Sequence, residues 1–120
     1  YEDEEVLAFL DIGPISDGHT LVIPKRHCRK VHECDAEVLS AVAARLGKIA
    51  KAVVEAMGAD GYNVLANNGV AAGQVVYHLH FHIIPRKTGD AWQFNWPAGS
   101  YCPGAMETLA GKMRAALAKA

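Results

Sequence analysis

The sequence predicts an α+β domain in which a mostly antiparallel sheet carries helices. Three observations lead there. Two short apolar runs near the start are cut by Gly13-Pro14 and Pro24. One long stretch, Val38 to Met57, repeats its apolar residues every three or four positions. A later run ending in Ile83-Ile84-Pro85 alternates histidine with large apolar residues. At 120 residues there is room for one core and not for two, so residues 1–120 read as a single domain.

Taken in order, Tyr1 to Glu5 is polar, and its abrupt approach to the first strand suggests that an upstream segment is missing. Val6 to Ile12 is a strand stopped by Gly13-Pro14. Ser16-Asp17-Gly18 turns the chain, and His19 to Ile23 is a second strand closed by Pro24. So short a connection favours an antiparallel pair. From Asp35 the period changes. Val38, Leu39, Val42, Leu46, Ile49, Val53 and Met57 form one stripe, with Arg45, Lys48, Lys51 and Glu55 off it. That is an amphipathic helix, with Asp35 as N-cap and Gly58 as its stop. Tyr62 to Asn67 is a third strand, Asn68 to Gln74 a glycine-bearing loop, and Val75 to Ile84 a strand carrying the histidines. Arg86 to Asp90 turns into the aromatic segment Trp92 to Pro97. Ala105 to Ala118 closes the chain as a helix, with Met106, Leu109, Met113 and Leu117 on one packing face.

Composition excludes several classes of function. A net charge of −1 gives no electrostatic case for nucleic acid or an anionic membrane. Lys25, Arg26, Arg29 and Lys30 read as a solvated turn. No apolar run reaches the ~18 residues of a membrane span, and the acidic start is unlike a signal peptide. Cys28, Cys34 and Cys102 are odd in number and widely spaced, which suits reduced thiols in a cytoplasmic protein.

The chemistry is expected at His78-Leu79-His80-Phe81-His82. On an extended strand the three imidazoles share one face, roughly 6.6–7 Å apart, while Leu79, Phe81 and Ile83 share the other. Imidazole can act near neutral pH as base, nucleophile, donor or metal ligand. The triad alone leaves metal binding and metal-free catalysis open. Its surroundings favour the second: there is no Cys-x-x-Cys and no carboxylate beside the triad. Upstream lies a loop of Gly and Asn whose backbone amides suit phosphate oxygens.

His78-Leu79-His80-Phe81-His82-Ile83-Ile84 resembles the motif of the histidine-triad (HIT) nucleotide-binding hydrolases. Phe9 to Ile12 and Gly18 to His27 are similar to that family's first hairpin, and Asn67 to Gln74 to its phosphate-proximal loop. The resemblance implies a HIT-like fold with a five-stranded antiparallel sheet, one long helix and a C-terminal helix, joined into a homodimer. It implies cleavage at the α-phosphate of purine nucleoside phosphoramidates or dinucleoside polyphosphates, through a nucleotidyl-histidine intermediate that releases a nucleoside monophosphate. The alternative is a non-catalytic purine-nucleotide-binding regulatory module. By position His80 is the nucleophile, His82 a donor to phosphate, and His78 and His19 orient the nucleophile or move a proton. Asp11 and Ile12 contact the nucleoside, Phe9 and Ile23 wall the base, and Asn67, Gly73, Gln74 and Val75 surround the phosphates. A serine often stands at the position of Val75 in the phosphoramidase branch, so leaving-group handling is expected to differ. The turn from Pro85 to Asp90 resembles the polyphosphate-hydrolase branch. No cofactor is required and no metal is expected. Zinc enters only if an upstream Cys-x-x-Cys has been lost, with His27 as one ligand. In relatives the tail reaches the partner's site, which makes Trp96 a specificity candidate.

Overall fold

Alternation of side chains settles which way the sheet faces. A computed structural model describes residues 1–120 as four strands and two helices. These are β1 (Val6–Leu10), β2 (Thr20–Pro24), α1 (Ala36–Met57), β3 (Gly61–Leu65), β4 (Phe81–Arg86) and α2 (Ala105–Leu117). Single 3-10 turns form at Val31–Glu33 and Val70–Ala72. The sheet order is β1-β2-β4-β3, and every pair is antiparallel.

The expected fifth strand is absent. Tyr1 and Ala8 exchange backbone hydrogen bonds of 3.3 and 2.8 Å, but the contact is one isolated bridge on the outer edge of β1.

α1 lies across one face of the sheet. Val6, Val22, Val42 and Ile83 are fully buried there with Ile49 and Ala50, and each large apolar side chain so buried contributes about 1.5–3 kcal/mol. A second, smaller cluster gathers Cys28, Val38 and Leu79 beneath the histidine segment. The helix runs as its stripe predicts. Gly58 ends it at φ 58°, and the Ala59 amide bonds back to the Val54 carbonyl at 3.0 Å, closing the last turn in the left-handed way glycine allows. Asp35 begins it without a side-chain cap, because its carboxylate accepts from Arg26 at 2.9 Å instead.

Three expectations are corrected. The triad strand was placed at Val75–Ile84, whereas β4 starts at Phe81 and runs on through Arg86. Leu65 is the last β3 residue paired to β4, opposite His82, and the β3 chain then leaves for the glycine loop. On the other side β2 pairs no further than Val22 with Phe81, and the Leu79 amide donates to the Cys28 carbonyl instead, so Val75 to His80 joins no ladder. Cys28 and Cys34 are not free thiols. They form a disulfide with a Cα–Cα distance of 5.3 Å, and Cys102 is the free cysteine. Finally, α2 does not pack on the domain. None of its residues is buried, and Met106, Leu109, Met113 and Leu117 all face outward exposed. The radius of gyration is accordingly 17.0 Å, against about 13–14 Å for a compact chain of this length.

Candidate active site

The sheet face opposite α1 collects the chemistry. Register sets Phe9 beside Leu21, Leu21 beside His82, and His82 beside Leu65, so four side chains form one row across all strands. Asp11 and His19 continue the β1–β2 register one step past the strands, where the Asp11 amide donates to the His19 carbonyl at 2.9 Å. That puts the Asp11 carboxylate, His19 and His82 together, with one carboxylate oxygen and one nitrogen of each ring within 4.8 Å of one another.

Hydrogen-bond partners decide each imidazole's tautomer, because a carbonyl only accepts and an amide N–H only donates. His19 Nδ1 accepts from the Ile15 amide at 3.1 Å, so its proton sits on Nε2. That Nε2–H meets His82 Nδ1 at 2.9 Å, which leaves the His82 proton on Nε2. His82 Nε2 is itself buried without a partner. An orphan donor of this kind costs about 1–3 kcal/mol, and it marks where an acceptor is wanted. His80 Nδ1 donates to the His78 carbonyl at 2.8 Å, so the lone pair of neutral His80 lies on Nε2. His78 Nε2 donates to the Pro24 carbonyl at 2.7 Å, and its Nδ1 accepts from His27 Nδ1 at 2.9 Å. The His80 and His82 rings are 5.0 Å apart.

Burial pushes His19 below its usual pKa, and the Asp11 charge opposes that. Burial also lowers His82, reinforced by repulsion from His80 and His19 and opposed by Asp11. Both rings are neutral at neutral pH, as the tautomer chain requires.

A carboxylate does stand beside the triad, contrary to the sequence expectation. Asp11 Oδ2 is 3.7 Å from His19 Nε2, and Oδ1 accepts from the Gly13 amide at 2.8 Å. The set Asp11, His19 and His82 still does not suit a cation as arranged, because the His19 nitrogen facing the cluster carries its proton. His27 and His78 also share a proton between their Nδ1 atoms, 2.9 Å apart, so a cation there would have to displace the His27 Nδ1 proton, with His78 Nε2 still oriented by the Pro24 carbonyl.

The glycine loop is assembled differently from the expectation. Gln74 is buried and both ends of its amide are used within the protein, Oε1 accepting from Gly69 at 2.8 Å and Nε2 donating to Arg29 at 2.7 Å and Val76 at 3.2 Å. The amides of Ala72, Gly73 and Gln74 all bond inside the loop. Gly73 holds φ 90° beside the Asn67 amide, a conformation that favours glycine. Val75 is exposed, and Ile12 is fully exposed at the open end of the face. Phe9 and Ile23 are partly accessible on it. A hollow of about 420 Å³ between β1 and α1 lies against the opposite face and holds none of the histidines.

Leu21 and the Ile15 amide were missed as site components. Strand alternation from His19 points to Leu21; nothing in the sequence signals the role of Ile15. The basic cluster is neutralised, with Lys25 on Glu2, Arg26 on Asp35, and Arg29 and Lys30 on Glu33. Trp92 meets Phe94 edge to face, Phe94 tilts against Trp96, and Arg86 lies over the Trp92 ring.

Residues 1–89 match the HIT domain family. This chain is a HIT domain protein. It is 48% identical over 90 residues to adenylylsulfatase HINT3 of Arabidopsis thaliana, covering 75% of this chain and 46% of that protein, so it spans less than half of that relative. It is 43% identical over 104 residues to the adenosine 5'-monophosphoramidase hnt1 of Schizosaccharomyces pombe, covering 86% of this chain and 75% of that one. Among solved structures, SMU.412c of Streptococcus mutans superposes with a TM-score of 0.93 at 40% identity, covering 98% of this HIT chain and 74% of its own. The α+β fold with an antiparallel sheet and two helices is therefore the HIT fold, and family members include nucleotide hydrolases.

Proposed function

We propose that this HIT protein hydrolyses nucleotides at the α-phosphate, with His80 as nucleophile. One observation carries the reading. The His78 carbonyl holds the His80 proton on Nδ1, so Nε2 is free to attack, while the unpartnered His82 Nε2–H stands beside it. In the first step His80 Nε2 bonds to phosphorus, the bond to the leaving group breaks, and the leaving group takes a proton from solvent. His82 donates a hydrogen bond to the phosphoryl oxygens as charge builds on them. It does not give up its proton, since a neutral imidazole would become imidazolate. In the second step water attacks phosphorus and the P–N bond breaks. The nucleoside monophosphate departs and the proton is returned to solvent. Splitting one hard displacement into two easier ones is the general gain from a covalent intermediate.

Asp11 Oδ2, left without a hydrogen bond by the turn, accepts from the ribose hydroxyls. Phe9, Leu21 and Ile23 wall the base, with Ile12 at its outer edge. Asn67 and Gly73 shape the phosphate loop, Gln74 braces it, and the exposed Val75 backbone contributes its amide, since its side chain cannot donate. Purine phosphoramidates and adenylyl sulfate are the preferred substrate class, supported by the activities named for the relatives; dinucleoside polyphosphates are the second class to assay. No metal takes part in these steps. Only if an upstream Cys-x-x-Cys completed the four ligands a structural zinc needs would His27 and His78 supply the other two, and such an ion would steady the segment that orients His80. A second copy of the chain completes the protein, supported by the exposed apolar face of α2 and the free edge of β3, where Tyr62 and Val64 are exposed.

Rapid quenching with a radiolabelled adenosine phosphoramidate tests the proposal. Label bound to a peptide containing His80 is expected; label on another residue, or turnover with none trapped under single-turnover conditions, overturns it.

A further inference from the structure

The loop closed by the Cys28–Cys34 disulfide touches the candidate site at three places. The Leu79 amide, between His78 and His80, donates to the Cys28 carbonyl at 2.7 Å. Asn68 Oδ1 accepts from the Val31 amide at 2.8 Å. The buried Gln74 amide donates to the Arg29 carbonyl at 2.7 Å. All three loop partners lie within the bridged segment, which spans a sequence separation of six. Two of these bonds brace the glycine loop and the third braces the triad segment, neither of which is held by the sheet. Cys28 is buried against Leu79 and Val38, while Cys34 is partly exposed.

We propose that Cys28 and Cys34 are a site of reversible thiol–disulfide exchange, and that the disulfide latches the phosphate loop and the triad segment into working geometry. The functional consequence rests on the nucleotide reading above; the mechanical one does not. In the reducing direction a small thiolate attacks the exposed Sγ of Cys34, the Sγ–Sγ bond breaks, and Cys28 leaves as a thiolate that takes a proton. A second small thiol attacks the mixed disulfide, releases Cys34 and departs as the oxidised dimer of the reagent. A small-molecule disulfide drives the reverse. Without the cross-link the segment Arg29 to Glu33 has one 3-10 turn and no buried residue of its own, so its three contacts loosen together.

The test compares the full chain after treatment with a small-molecule disulfide and after reduction. Alkylation with peptide mass mapping assigns the states: in the oxidised form Cys28 and Cys34 take no adduct while Cys102 carries either the alkyl group or the reagent as a mixed disulfide, and in the reduced form all three are alkylated. Amide hydrogen exchange is then read over residues 66–80, together with kcat/KM for an adenosine phosphoramidate. Reduction is expected to speed exchange across that segment and to lower kcat/KM by roughly tenfold or more, since small misplacements of reacting groups are that costly. Cys34→Ser should match the reduced form under both treatments, and Cys102→Ser should respond as the natural chain does. Equal exchange in the two states overturns the latch, as does alkylation of Cys28 and Cys34 after oxidation. If neither form hydrolyses nucleotides, the nucleotide reading fails and the exchange data still decide the latch.

Discussion

His19 Nε2 stands 2.9 Å from His82 Nδ1, and the Ile15 amide on the far side of the His19 ring decides which of the two donates. The pair stays neutral because burial lowers both pKa values from the usual 6.5. The unfolded chain therefore takes up protons at higher pH than the fold does. Stability from these groups is fully present above about 6.5 and is lost as pH falls from there through the lowered values. Urea unfolding should show a lower midpoint at about pH 5.5 than at about pH 7.5. The His19→Gln, His82→Gln double variant should flatten that difference. A midpoint gap that persists undiminished in the variant would assign the pH dependence to other groups. Activity should fall on the acid side of the same window, as a second proton on His82 breaks the chain from His19.

Of His19, His78, His80 and His82, His80→Ala removes the one imidazole whose lone pair has no intramolecular claim on it. Hydrolysis should drop by on the order of 10³–10⁶, as for loss of a nucleophile elsewhere. Binding of AMP should persist within a few-fold, because Asp11, Phe9 and Leu21 are untouched. Calorimetric titration beside a steady-state assay separates the two effects. Retained turnover would remove His80 from the role assigned to it.

Gly18 links the turn to β2 at φ 89°, and a Cβ there would lie 2.5 Å from Met57 Cγ and 3.4 Å from Pro85 Cγ. Gly18→Ala therefore suffers both backbone strain and a clash with the end of α1. A loss of about 1–3 kcal/mol is expected, read as a shift of the urea midpoint with unchanged slope. Gly47, with nothing within 4 Å of a Cβ, sits mid-helix, and Gly47→Ala should instead raise stability by about 0.5–1 kcal/mol.

Much of this fold is legible in the chain because it is local. The period of Val38 to Met57 and the Gly58 stop place α1 to within a residue of its observed ends, and the Gly-Pro and Pro24 breaks bound the first hairpin. What failed to be legible is what depends on contacts made elsewhere. The alternation of His78 to His82 is real, yet the ladder begins only at Phe81, because β3 turns away after Leu65 and β2 pairs no further than Val22. Cys28 and Cys34 meet only once the turn at Val31–Glu33 brings their Cα atoms to 5.3 Å. Gln74 looked like a phosphate contact, and its amide is instead spent on Gly69, Arg29 and Val76. The histidine tautomers follow from the carbonyls of Pro24 and His78 and the amide of Ile15, groups every residue carries and no motif displays.

The apolar face of α2 makes the sharpest statement about assembly. Met106, Leu109 and Met113 recur at helical spacing, yet they are 63%, 38% and 64% exposed. A helix of 13 residues is marginal in water by itself. Nevertheless the superposition on the Streptococcus mutans structure, TM-score 0.93, extends over 98% of the chain and so takes in the helix. A helix held in the same place without support from its own domain is expected to be held by another chain. Light scattering should report about twice the chain mass, and Leu109→Glu with Met113→Glu should shift it to the monomer, since burying two unpaired carboxylates costs several kcal/mol. The same variant should lose α2 helicity by circular dichroism, because nothing else supports it. A monomeric natural chain, or a charged variant that stays dimeric with α2 intact, would place the helix outside the interface.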